Sequence, residues 1–154
     1  MKKLLLALAL LGLGAPAFAG SSPTCGDTHP TALDVVVGVT DVTATWSSSS
    51  LSCTPTKYSI EFEAQYGPAP AVAVCDGTTK TVTYTSTTSP FSIPLADLLV
   101  DLAPPAGKCW CADTAVKVKA LTTAPHGPNK SQNNVFSDPD TIDIGDDACT
   151  PVPV

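Results

Sequence analysis

Between Tyr58 and Glu63 the chain alternates large apolar and polar side chains without a break, with Tyr58, Ile60 and Phe62 on one parity and Ser59, Glu61 and Glu63 on the other. An extended backbone turns successive side chains to opposite faces, so the segment has one apolar and one solvated face; a helix would scatter the same residues around its circumference. It reads as a half-buried strand, and such a strand needs neighbours that cover its apolar face.

The same period recurs along the chain. Leu33, Val35 and Val37 predict a first strand ending near Gly38, and Val42, Ala44 and Trp46, alternating with Thr43 and Thr45, predict a second with Trp46 pointing inward. The polar run Ser47 to Ser50 makes a loop through Cys53 and Pro55 to the Tyr58 strand. After Gly67-Pro68 and Pro70, the runs Val72 to Cys75 and Thr79 to Ser86 flank Asp76-Gly77, a hairpin signal. Phe91 and Ile93 mark a short strand. Leu95, Leu98, Leu99 and Leu102 then fall at helical spacing behind Pro94, which suits the first helical position, and their leucines belong to the core of a helix capping one end of the domain. Pro104-Pro105 ends that helix, Val116, Val118 and Ala120 alternate with Lys117 and Lys119, and Ser137-Asp138-Pro139 announces a last strand with Ile142 and Ile144 on one face. Short strands at this spacing predict an all-β sandwich of two sheets, about seven strands with a short helix before the sixth.

The first residues carry an address. Lys2 and Lys3, the apolar run Leu4 to Leu13, and Ala17-Phe18-Ala19 before Gly20 have the three parts of a cleavable secretory signal, so residues 1–19 are expected to be removed. Residues 20–29 then form an N-terminal extension, 30–145 the sandwich and 146–154 a C-terminal tail. The most apolar later segment, Leu95 to Leu102, carries Asp97 and Asp101 and is no membrane span. The expected location is the periplasm or the cell exterior.

Cleavage removes two of the 8 basic residues, all of them lysine, and leaves 14 acidic ones, which takes the net charge from -6 to about −8. Without arginine or a basic patch there is nothing to neutralise phosphates, which excludes nucleic acid and an anionic membrane as partners. The six cysteines, Cys25, Cys53, Cys75, Cys109, Cys111 and Cys149, are an even set bound for an oxidising compartment, and predict disulfides. Cys109-Trp110-Cys111 is too tight for zinc spacing and has no nearby His, so no metal is expected.

No cofactor motif and no catalytic constellation is evident. There is no Gly-x-Ser-x-Gly elbow, and His29 and His126 sit beside prolines in predicted loops. Paired disulfides leave no activated thiolate. Glu61 and Glu63 share a strand face and read as its solvated side. The aspartates at 138, 140, 143, 146 and 147 do not match a twelve-residue Ca²⁺ loop and read as an exposed acidic end. Asn129-Lys130-Ser131 matches a glycosylation sequon, to which the bacterial look of the short Lys-Lys leader gives little weight.

From Pro30 to Gly145 the landmarks together resemble the fibronectin type III domains. They are Leu33, Trp46 thirteen residues later, Tyr58-x-Ile60-x-Phe62, Leu102-x-Pro104, Val116-x-Val118-x-Ala120 and Ser137-Asp138-Pro139, in that order. The resemblance implies a fibronectin type III or immunoglobulin-like seven-stranded sandwich. Thr114 stands where the family has a Tyr, and Pro105 to Asp113 reads as an insertion carrying two cysteines.

The topology implied by that resemblance puts the N-terminus at the end of the loop after the second strand and the C-terminus at the opposite end. It thereby pairs Cys25 with Cys53, and Cys75 and Cys149 with Cys109 and Cys111 in an order left open. A tail-to-tail Cys25 to Cys149 bridge is not expected. The resemblance further implies a secreted, non-catalytic binding or adhesion module for protein or glycan, with His126, Asn129, Lys130, Asn133 and Asn134 in an exposed binding loop. The alternative is a self-assembling structural subunit of an extracellular fibre or surface layer. A third reading, a protease inhibitor, would use the Lys108 to Cys111 segment as a rigid bait loop.

Overall fold

The computed structural model describes residues 28–51, 53–69, 75–121 and 135–144. Strands dominate: β1 (Thr31–Val37), β2 (Asp41–Ser47), β3 (Lys57–Pro68), β4 (Thr78–Ser86), β5 (Phe91–Pro94), β6 (Lys108–Leu121) and β7 (Asp140–Ile142), with one helix, α1 (Leu95–Asp101), between β5 and β6. They form two antiparallel sheets, a three-stranded one in the order β1-β2-β5 and a four-stranded one in the order β4-β3-β6-β7. The inner parities of both sheets supply the core. Val42, Ala44 and Trp46 of β2 meet Tyr58, Ile60, Phe62, Ala64 and Tyr66 of β3 and Val116, Val118 and Ala120 of β6, all buried. The alternation of the third strand thus faces the way its residues dictate, with Trp46 packed edge-on against Tyr58 at 5.0 Å between ring centroids.

Some local expectations are corrected. The third strand runs past the alternating segment to Pro68, because β6 extends alongside it to Lys108. The segment Pro105 to Asp113 is therefore not an inserted loop: from Lys108 it is the first half of β6, and Cys109 and Cys111 are strand residues. The same finding removes the bait loop, since Lys108, Cys109 and Trp110 pair with Pro68, Gly67 and Tyr66 of β3. Asp76-Gly77 stands immediately before β4, whose described ladder partner is β3. The hairpin joins β3 to β4, with Tyr66 opposite Thr78, and Gly77 enters β4 at φ 85°, a value glycine adopts without strain. The strand expected at Val72 to Val74 lies outside the described residues.

A further correction concerns α1. Pro94 is the N-cap, one position before the expected one, and the Leu95 N–H donates to Thr40 O in the β1–β2 turn. Leu98 and Leu102 are fully buried, while Leu95 and Leu99 pack on the core from its margin. A helix of seven residues is too short to persist alone, so these leucines hold it in place.

Candidate interaction surface

Every sheet ends in strands whose outer N–H and C=O groups lack a ladder partner, and proteins blunt such edges with short strands, prolines, bulges or covering groups. Here the edges are β1 and β5 in one sheet and β4 and β7 in the other. β1 is bulged between Thr31 and Asp34, with Ala32 at φ 51°, and its Val35 N–H is taken at 2.8 Å by Asp140 Oδ2 from β7. β5 has only four residues, follows Pro90, ends in Pro94, and leads straight into α1. β7 has only three and lies against β1. β4 differs on each count. Its nine residues pair one to one with β3 from Tyr58↔Ser86 to Tyr66↔Thr78, without a shift of register and without a proline.

The side chains of β4 fall into two rows. Thr79, Thr81, Thr83 and Thr85 are exposed on the outer face of the sheet. Opposite them on β3 stand Gln65, Glu63, Glu61 and Ser59, and β6 follows with Lys117 opposite Glu61 and Lys119 opposite Ser59. The outer face is striped: neutral hydroxyls at the edge, carboxylates next, ammonium groups beyond. Lys119 Nζ lies 3.5 Å from Glu61 Oε1 and 4.5 Å from the centroid of the Phe136 ring. Glu61 and Glu63 thus line an open sheet face, with Glu61 engaged by a lysine.

The inward row of β4 is Thr78, Lys80, Val82, Tyr84 and Ser86, all half-buried along the flank between the sheets. Tyr84 stacks on Phe91 of β5 at 5.7 Å and meets Phe62 edge-on at 5.8 Å. Its hydroxyl donates to Asp101 Oδ2 of α1 at 2.5 Å. Burial, then the hydrogen bond to Asp101 and the Asp101 and Asp97 charges, push the Tyr84 phenol well above its ordinary pKa.

Of the residues singled out in the sequence, the structure brings Cys75 and Cys111 together in a disulfide with Cα atoms 5.3 Å apart. Cys53 and Cys109 are also disulfide-bonded, and no described cysteine is free. Cys25, Cys149 and the loop residues His126, Asn129, Lys130, Asn133 and Asn134 lie outside the described residues, as do the sequon, the secretory signal and the C-terminal tail. The described aspartates of the acidic end do not converge: Asp140 ties β7 to β1, and no three His, Cys, Asp or Glu groups among the described residues are placed to share a metal ion. The β4 edge was not singled out in the sequence, although its signal is visible there as a threonine at every second position from 79 to 85. No family model matches the chain, and a search of curated proteins finds no match.

Proposed function

We propose that the protein is an exported, non-catalytic binding module on a seven-stranded scaffold of the fibronectin type III kind, and that it makes contact through the β4 edge and its threonine row. The scaffold reading is supported by where the landmarks fall: Trp46 inward on β2, Tyr58, Ile60 and Phe62 inward on β3, Val116, Val118 and Ala120 inward on β6. Ser137 adds to this. Its N–H donates to Val118 O at 2.8 Å and its Oγ accepts the Val118 N–H at 3.1 Å, which docks the start of β7.

The observation that carries the binding reading is the contrast among the four edges. Three are short, bulged or covered, and β4 alone among the described strands is long, regular and open. An open edge offers a row of main-chain donors and acceptors to an extended segment, with alternate side chains for selectivity. A fibre grown strand to strand needs two such edges per subunit, and the described strands supply one, which favours the binding module over the structural subunit.

The test is affinity capture from the producing organism's culture medium and cell-envelope fraction, using the oxidised protein without residues 1–19. An edge-blocked variant runs in parallel. Neighbouring residues of an antiparallel strand point their N–H groups in opposite directions, so one of Lys80→Pro and Thr81→Pro removes an outward N–H and keeps the fold. Capture of a protein or glycan by the parent and its loss in that variant is the expected result. Equal capture by both proteins, or capture by neither, would sink the reading.

A further inference from the structure

β4 has a symmetry of its own. Outward from Val82, both directions meet a threonine first (Thr81, Thr83), a long amphipathic side chain second (Lys80, Tyr84), a threonine third (Thr79, Thr85) and a hydroxyl residue fourth (Thr78, Ser86). We infer that the edge takes a second copy of this chain, the two β4 strands pairing antiparallel about a two-fold axis through Val82. This rests on the reading of β4 as the interaction surface and adds the partner and the register.

Length and charge select the same register. A strand of nine residues centred on Val82 overlaps its copy completely, and any other centre leaves residues unpaired. Directly opposite residues of an antiparallel pair share a face, so Thr81 meets the other copy's Thr83, Thr79 its Thr85, and Val82 its Val82. The only charge on β4 is Lys80. In this register it stands opposite Tyr84 of the other copy, whose hydroxyl is held by Asp101, with Asp97 one turn away on the same helix. Each ammonium thereby gains an aromatic face and two carboxylates. The two lysines are four strand positions apart, about 13 Å, beyond the screening length of about 10 Å at 0.1 M salt. Centring the pair on Lys80 would put them face to face.

The pairing joins two four-stranded sheets into one and consumes the open edge of each copy, so assembly stops at two. On the outer face, the two threonine rows meet and the carboxylate rows of the two β3 strands stay two strands removed from one another.

Sedimentation equilibrium of the oxidised protein without residues 1–19 tests this directly. A reversible monomer–dimer equilibrium is expected. The double variant T81K/T83K changes two exposed side chains of each copy and sets introduced ammonium groups opposite one another in both cross-strand pairs; self-association weakens by about tenfold or more while the thermal melt stays near that of the parent. If that variant does not fold, amide exchange of the parent decides: alternate β4 amides gain protection as concentration rises. A parent that stays monomeric up to its solubility limit overturns the inference. So does a dimer indifferent to T81K/T83K, an exchange pattern in β4 that ignores concentration, or growth into species larger than a dimer. A monomer that still captures a different partner through β4 sinks only this inference, whereas equal capture by the parent and the edge-blocked variant sinks the reading of β4 as the interaction surface.

Discussion

Tyr66 is fully buried, and its hydroxyl donates to the Leu102 carbonyl at 2.5 Å, joining β3 to the residue that ends α1. Burial pushes its phenol pKa up, because the charged phenolate loses its hydration there. Tyr66→Phe keeps the packing but strands a buried carbonyl, and urea denaturation is expected to show a loss of about 1–2 kcal/mol. Tyr66 and Tyr84 both have folded-state values above the unfolded one, so their contribution is complete below about pH 10 and is lost as pH rises through the folded values. An alkaline titration followed by phenolate absorbance should show Tyr66 and Tyr84 ionising late, together with unfolding. Asp76 has the opposite sign. A hydrogen bond from Lys108, then those with Thr78, hold its carboxyl at about 2, so its small, exposed contribution is present above the ordinary value of 3.8 and fades as pH falls through about 2. Carboxyl chemical shifts across an acid titration check the midpoint. That Tyr58 faces inward was legible from residue parity, whereas the partners of Tyr66 and Asp76 were not, since Leu102 and Lys108 lie 36 and 32 positions away.

At the scale of elements, strands with unmistakable alternation were legible, and so was the leucine spacing of α1, because both patterns depend only on local backbone geometry. The first half of β6 was not. Pro104-Pro105 and Gly107 speak for a loop locally, but the long β3 offers a free ladder edge as far as Pro68, and pairing there overrides the local signal. The carboxylate of Asp140 also escaped the reading of an exposed acidic end. It accepts the Val35 N–H from across the open flank between β1 and β7. Asp140→Ala is expected to speed hydrogen exchange at the Val35 amide and to lower stability by about 1–2 kcal/mol, the range for a partly exposed bond to a charged acceptor. Unchanged protection at Val35 would mean that the clip contributes nothing.

For the whole molecule, strand direction governs how the cysteines are distributed. Cys53 precedes β3 by a few residues, at the end of the sandwich where Ser50 Oγ donates to His29 O at 2.5 Å. Cys109 sits opposite Gly67 at the far end, about 33 Å of extended chain away, so these two bonded cysteines are not bonded to each other. β1 starts at the Cys53 end, and β7 runs from its pairing with Val116 to Thr114, toward the Cys109 end. Peptide mapping of the non-reduced protein is therefore expected to recover Cys25 with Cys53 and Cys109 with Cys149 beside the observed Cys75 and Cys111; a fragment joining Cys25 to Cys149 would contradict the strand directions. The bridge between Cys75 and Cys111 closes a separation of 36 residues, and C75A/C111A is expected to lower stability by about 2–4 kcal/mol in denaturant titrations. The sequence by itself determined which residues turn inward, because side-chain parity is a property of the extended chain, and it determined that the fold is β, because no helix accommodates period two. Which strands lie at the sheet edges, and that β4 alone among those described is left long and open, was decided only by the tertiary structure, because an edge is defined by the absence of a neighbour and neighbours are chosen by packing between residues far apart in the chain.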